Sequence, residues 1–237
     1  MTFDLFFALT RVAAPVMAKH IGMAAADSVT FGGASAIKNG VAELKNLADQ
    51  SNENLFYWQL RTFLDTASED ISEEEVTTFL NNHPHGYRFG AEIFKILEST
   101  YLEKQAELIG EAFKKRVRGE ITEEKFNQYI HIIKQLNHHT IYAINKDLAE
   151  VKENALHKLP TKDSEISCMG FLYHGFSNSE RNNYFGHSLE VLGFIVEDLS
   201  RTSTFGHDSP LSREKSFKRT QLYLDFYLDI YQDQLAD

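Results

Sequence analysis

Apolar side chains recur every three or four positions through much of the chain, which is the spacing of one face of an α-helix. The two longest patterns of this kind cover 91–117 and 122–150, and a short link around Gly119 joins them. Bases crowd the end of the first pattern, where a helix dipole favours cations: Lys114, Lys115, Arg116 and Arg118. We therefore predict two long antiparallel helices at the centre of a multi-helix bundle.

Capping signals mark where several helices begin and end. Ser72 is followed three residues later by Glu75, the spacing of a capping box. The helix that starts there is predicted to end at residues 83–86, because proline disfavours helical backbone in the residue before it. Thr122 is predicted to cap the second long helix.

After Pro160 the pattern changes. Residues 166–176 are apolar and interrupted by glycines, 177–180 resemble a turn, and 183–186 could form a second short strand. This order predicts a small β-hairpin near 166–186, followed by a helix that Ser188 opens.

The fold class expected from these patterns is all-α or mostly α, with the one small hairpin. Three regions are distinguished along the chain. Residues 1–50 form an apolar, Gly/Ala-rich helical segment, 51–160 a helical bundle, and 161–237 the hairpin with two helices packed on the bundle.

Composition is that of a folded chain. Of 237 residues, 43% are apolar and 24% charged, and the formal net charge is -10. Acidity makes nucleic acid an unlikely partner, because nucleic-acid binding needs clustered Lys and Arg. The single cysteine, Cys168, excludes an intramolecular disulfide, and residues 1–4 lack the positive charge of a secretory signal. We expect a cytoplasmic protein.

Histidines are the candidate metal ligands. His83 and His85 flank a proline, and an acid from the run 73–75 could complete a ligand set with them, while His131 and His138 lie seven residues apart on a predicted helix. A zinc pair on a helix usually uses a spacing of four, which is absent, and a solvated turn explains the first pair. We therefore predict no metal and no cofactor, and retain these four histidines as candidates.

Nucleophilic catalysis has little support in the sequence. Cys168 with His174 lacks a third orienting group, and no nucleophile elbow, Walker A or dinucleotide-binding motif occurs. Acids at 73–75 and 123–124 suit the first turn of a helix, where they offset the dipole. The chain is therefore expected not to be an enzyme.

The last predicted helix, 213–235, is apolar over more than half its circumference. Two interpretations stay open: a helix buried in its own bundle, or one face of a two-fold homodimer. The residues assigned to that interface are aromatic: Tyr223, Phe226, Tyr227 and Tyr231.

Two stretches carry a resemblance to a known group of proteins. One comprises 63–65, 96–97, 108–113 and 119–126, and the other comprises 170–172, 184–186 and 189–193. Together they resemble uncharacterised helical proteins of bacteria and prophages. The resemblance implies a helical fold and no catalytic residues.

These observations favour a non-enzymatic protein-interaction protein, of the kind that phages and mobile elements use to inhibit or sense proteins in bacterial conflict. One alternative is an effector that acts at membranes through residues 1–50, although membrane contact is not favoured there over core or interface packing. The other alternative is a metal-dependent hydrolase that uses the histidines. For the favoured interpretation, an interaction protein, the expected partner is another protein.

Overall fold

The computed structural model describes residues 55–84, 86–153, 159–173, 175–176, 184–198 and 217–232. The chain divides after Lys134 into an N-terminal unit, residues 1–134, and a C-terminal unit, residues 135–237. Among the described residues most are helical, so the prediction of a mostly α-helical protein is confirmed.

The described part of the N-terminal unit is built from helices alone. They are α1 (Leu55–Ser68), α2 (Glu73–Asn82), α3 (Gly86–Glu98), α4 (Glu103–Val117) and α5 (Glu123–Gln135). Aromatic rings fill its core. Phe89 lies at the centre, with its ring centroid 5.3 Å from Phe79, 5.3 Å from Phe126 and 6.1 Å from Phe113. One side chain of α3 thereby joins α2, α4 and α5.

Helices α1 and α4 cross at short distance because Gly110 has no side chain. A Cβ at that position would lie 2.9 Å from the Thr66 Cβ and 3.2 Å from the Phe63 carbonyl oxygen. Close approach of this kind lets the neighbouring side chains of both helices interdigitate, as in other close-packed protein interiors.

The first predicted long helix is interrupted, because α3 ends at Glu98 and α4 begins at Glu103. The Thr100 hydroxyl turns back to the Leu97 carbonyl at 2.7 Å. Gln105 then accepts hydrogen bonds from the backbone N–H groups of residues 101 and 102, each at 3.0 Å. These side chains satisfy backbone groups that a continuous helix would otherwise pair.

The second predicted long helix is interrupted too, between α5 and α6 (His138–Glu153). Asn137 caps α6, since its side-chain oxygen accepts from the N–H groups of His139 and Thr140, both at 2.9 Å. The apolar spacing continues across both breaks, which is why periodicity alone predicted unbroken helices. No strand lies in 91–150, as predicted.

The link between α4 and α5 follows the prediction. Gly119 adopts φ +72°, a left-handed conformation that glycine takes without steric cost. Thr122 accepts a hydrogen bond from the N–H of Lys125 at 3.2 Å and so caps α5. The two helices are antiparallel, because Gln105 near the start of α4 donates to the carbonyl of Ile133 near the end of α5 at 3.0 Å.

The described part of the C-terminal unit mixes helices with a small sheet. Besides α6 it contains α7 (Glu165–Tyr173), β1 (Gly175–Phe176), α8 (Tyr184–Val191), β2 (Ile195–Glu197), β3 (Phe217–Arg219), α9 (Gln221–Phe226) and a π-helix (Tyr227–Tyr231). The strand order is β1-β3-β2 and both pairings are antiparallel. The long helix α6 is thus grouped with the elements that follow it.

A small β element is present, but the hairpin predicted at 166–186 is not formed by the expected segments. Residues 165–173 are helical, and β1 pairs with β3, so that Phe176 lies opposite Phe217. Ser164 accepts a hydrogen bond from the N–H of Ser167 at 3.3 Å and caps α7. This cap turns an apolar, glycine-containing run into a helix, although its length and glycines resembled a strand.

Two further helix predictions need correction. Ser188 lies inside α8 and does not open it, and Gly193 at φ +73° ends the helical course before Ile195 enters β2. Within the predicted last helix, 217–219 form β3. Thr220 then caps α9 by accepting from the N–H of Tyr223 at 3.3 Å.

Candidate functional site

An open groove of about 730 Å³ lies on the N-terminal unit. It runs along α2, from the residue before its start to the residues after its end, and the end of α4 also lines it. Exposed polar side chains line it together with a few apolar groups: Ser72, Glu74, Glu75, Thr78, Phe79, Asn82, His83, Pro84, Val117 and Arg118. Because the groove opens broadly to solvent, it can accept a stretch of chain more readily than enclose a small molecule.

The capping box at the start of α2 holds one end of the groove. The Ser72 hydroxyl accepts from the Glu75 N–H at 3.2 Å, and a Glu75 carboxylate oxygen accepts from the Ser72 N–H at 2.8 Å. The hydrogen bond from the Ser72 backbone, followed by that from its hydroxyl, lowers the pKa of Glu75, and Arg118 adds to this. Glu75 is therefore held in its charged form, and the predicted capping box is confirmed.

His83 closes the other end of α2. Its side chain is only 7% exposed, with Nε2 3.3 Å from a carboxylate oxygen of Glu123. Its ring lies against Phe79 and Phe89, at centroid distances of 5.4 and 5.6 Å. The imidazole therefore ties the end of α2 to the start of α5, which is a packing role.

Two of the bases predicted at the end of α4 form ion pairs inside the unit. Lys114 Nζ lies 2.9 Å from Glu111 and 3.4 Å from Asp70. Lys115 Nζ lies 3.0 Å from Glu120. Their charges are thus matched by nearby acids.

The two arginines of that cluster are engaged as well. Arg116 lies over the Phe79 ring at 5.1 Å and 3.9 Å from Glu123. Arg118 donates a hydrogen bond from Nη2 to the carbonyl oxygen of Asp70. Arg118 therefore lines the groove while it fastens α4 to the turn that follows α1.

Two other candidate metal ligands lie on different helices. His131 is exposed on α5 in the N-terminal unit, whereas His138 is exposed at the first residue of α6 in the C-terminal unit. His85 lies outside the described residues. Within the described ranges no three His, Cys, Asp or Glu side chains form a group that could hold a metal ion.

The four aromatic residues assigned to a dimer interface are buried in their own chain. Tyr223 and Phe226 are 0% exposed, Tyr227 is 3% and Tyr231 is 1%. Side chains packed this way belong to the core, so they cannot form a face that meets a second copy. The alternative of a buried helix fits the structure, and the interface assignment is corrected accordingly.

A buried polar network in the C-terminal unit was not anticipated. Arg219 makes two hydrogen bonds to the Asp147 carboxylate, at 2.7 and 3.0 Å, and Tyr223 donates a third at 3.0 Å. Arg219 also donates to the Phe171 carbonyl at 3.3 Å and lies 4.7 Å over the ring of that residue. Burial first, and then the Asp147 charge, raises the pKa of Tyr223 well above its usual value.

This network is structural. Its two charged side chains are 0–1% exposed, so no ligand reaches them in this conformation. Sequence reasoning missed it because Asp147 and Arg219 are 72 residues apart and each resembles an ordinary surface charge.

Two other candidates from the sequence are the single cysteine and the apolar N-terminal segment. Cys168 is half-buried on α7, with Sγ 3.5 Å from the Thr161 carbonyl, and His174 lies outside the described residues. The apolar segment 1–50 also lies outside them. Among the helices that are described, none combines the length and the apolar character needed to cross a membrane.

Comparison with models of protein families, with characterised proteins and with solved structures finds no match to this chain. The functional assignment therefore starts from the groove.

Proposed function

We propose that the chain is a non-enzymatic protein-interaction protein, and that the groove beside α2 binds a segment of its partner. The observation that supports this proposal is the groove itself, where apolar Phe79, Pro84 and Val117 lie among polar side chains. Interfaces combine an apolar centre with a polar rim in this way.

The walls of the groove are held in place before any partner arrives. The Ser72–Glu75 capping box fixes the start of α2, and the contact between His83 and Glu123 fixes its end. The Arg118–Asp70 hydrogen bond fixes the end of α4. A surface that is already ordered loses little conformational entropy on binding, which favours affinity.

The kind of partner proposed is a protein of a bacterium or of its phage. Only the resemblance of 108–126 and 170–193 to helical proteins of bacteria and prophages supports this finer statement. Extracts from phage-infected and uninfected bacteria are therefore the material in which to look.

A pull-down with matched variants tests the proposal. Asn82 and Asn127 are both exposed asparagines of the N-terminal unit, and only Asn82 lines the groove. Asn82→Trp fills the groove with a bulky ring, whereas Asn127→Trp adds the same ring to α5. We expect a protein that the wild type and Asn127→Trp retain and that Asn82→Trp loses.

Circular dichroism of both variants confirms that they are folded. If all three proteins capture the same set, or if capture is lost equally in both variants, the groove is not the binding surface and the proposal is wrong.

A further inference from the structure

The lining of the groove carries more acid than base. Glu74 and Glu75 lie on one side and Arg118 is the single arginine or lysine among the lining residues. Acids also occupy five of the seven positions in 69–75, the segment that leads into α2. The charge presented at this end of the groove is therefore negative.

The nearby lysines do not reverse this balance, because each is already paired with an acid, and Arg118 is one cation against the two glutamates of the lining. Lys114 and Lys115 lie in ion pairs with Glu111 and Glu120, each about the length of a hydrogen bond at 2.9 and 3.0 Å. Arg118 donates to the carbonyl of Asp70. An incoming carboxylate or phosphate would have to compete with these internal partners.

Of the two acids that line the groove, Glu75 is engaged by the capping box and Glu74 is not. The Glu74 side chain is exposed and makes no hydrogen bond or ion pair with any described residue. Glu75 is held in its charged form by the capping box. Both carboxylates lie on the first turn of α2, and apolar Phe79 and Val117 line the same groove.

From this charge pattern we infer that the groove binds a cationic segment of the partner protein, in which Lys or Arg side chains alternate with apolar ones. The inference rests on the proposed function. The cationic groups meet Glu74 and Glu75, and an apolar side chain lies against Phe79, Val117 and Pro84. Complementary charge of this kind selects partners and speeds their encounter.

The test measures binding of two labelled peptides to the full chain by fluorescence anisotropy. One peptide contains lysine and leucine in equal numbers, and the other has glutamate in place of each lysine. We expect the lysine peptide to bind about tenfold or more tightly than the glutamate peptide, because like charges across an interface disfavour binding. Asn82→Trp should abolish binding of the lysine peptide.

The chain offers a matched pair of charge variants. Glu74 and Glu124 are both exposed, and each is the second residue of its helix, α2 or α5. Glu74→Lys and Glu124→Lys change the net charge and the helix terminus alike. Glu74→Lys should lower the affinity for the lysine peptide about threefold or more. Glu124→Lys should lower this affinity by less than about half as much.

Three results would overturn the inference. Equal weakening by Glu74→Lys and Glu124→Lys would mean that overall charge, not the groove, attracts the peptide. If the glutamate peptide bound more tightly, and Asn82→Trp abolished that binding, the groove would still be the binding surface. Its charge preference would then be the reverse of the one inferred. If neither peptide binds, the inference falls, and the pull-down decides separately whether the groove binds protein.

Discussion

The cores of the two units are stabilised in different ways. In the N-terminal unit aromatic rings from several helices surround Phe89, and a buried ion pair, Lys114 with Glu111, lies within one turn of α4. In the C-terminal unit a fully buried pair, Asp147 and Arg219, lies in the core and Tyr223 bonds to it.

This difference determines where a function can lie. Buried charges must satisfy each other, so the polar groups of the C-terminal network are committed to its stability. In the N-terminal unit, by contrast, the polar side chains Glu74, Thr78 and Asn82 lie at the surface, where they line the groove and are accessible to a partner. The predictions below test this contrast, from the largest expected effect to the smallest.

Removal of one partner of the buried pair should have the largest effect. Asp147→Leu leaves the Arg219 guanidinium buried without its counter-ion, and we expect a loss of about 3–5 kcal/mol of unfolding free energy. The double variant Asp147→Leu/Arg219→Met should recover most of this loss, because no charge is then left unpaired. Urea denaturation of both variants measures the effect.

The contrast between the units would be wrong if the single variant lost less than about 1 kcal/mol, which is the range of an exposed ion pair.

Crowding at the α1–α4 crossing should have the next largest effect. Gly110→Ala places a methyl group 2.9 Å from the Thr66 Cβ and against the Phe63 carbonyl, so one helix must move. We expect a loss of about 1–3 kcal/mol in spite of the better helix propensity of alanine. A more stable variant in urea denaturation would show that the helices have room to separate.

The N-terminal unit was largely predictable because its signals are local. The capping box at Ser72 and Glu75, the cap at Thr122 and the left-handed Gly119 each involve residues within a few positions of one another. The two helix breaks were missed because Gln105 and Asn137 terminate helices through side-chain hydrogen bonds that hydrophobic periodicity does not reveal.

The C-terminal unit was less predictable because its pairings are distant in sequence. Strand β3 pairs with β1, about forty residues earlier in the chain, and with β2, about twenty residues earlier. Strands of two or three residues also carry almost no periodicity. The groove was not predicted, although three of its residues, Ser72, Glu75 and His83, were singled out for capping and metal binding. Their assembly with Val117 and Arg118 depends on how α2 and α4 pack.

Alkaline pH should weaken the C-terminal unit through Tyr223. Burial raises the pKa of this phenol in the fold, so the unfolded chain ionises first, near pH 10. Stability is therefore intact below about pH 10 and falls by about 1.4 kcal/mol per unit as the pH rises further. Tyr223→Phe should reduce this slope in denaturation series at pH 9–11.

An unchanged slope in Tyr223→Phe would mean that other groups cause the alkaline loss.

The two left-handed glycines in the described part of the chain should respond equally, although they lie in different units. Gly119 and Gly193 have φ +72° and +73°, and neither has a contact closer than 3.7 Å at the Cβ position. Alanine at either position should cost about 1 kcal/mol from backbone strain alone, and asparagine less. A much larger loss at one of them would reveal crowding that the structure does not contain.

Mild acid should have the smallest effect, confined to α2. Because the pKa of Glu75 is lowered in the fold, its contribution is present above the unfolded pKa of about 4.3 and is lost as the pH falls through the folded value. The protection of α2 peptides from hydrogen exchange, measured against the intrinsic exchange rate at each pH, should fall below that pH in the wild type. Ser72→Ala should show faster exchange already at pH 7 and less change with acid.

Site-specific photo-crosslinking tests the central claim most directly, because it reports which surface touches a partner inside living cells. Benzoylphenylalanine is introduced at position 82, in the groove, or at position 127, on the exposed side of α5. Our account predicts that illumination yields a discrete crosslinked protein from position 82 and none from position 127. No adduct from position 82, or the same adduct from both positions, would contradict it.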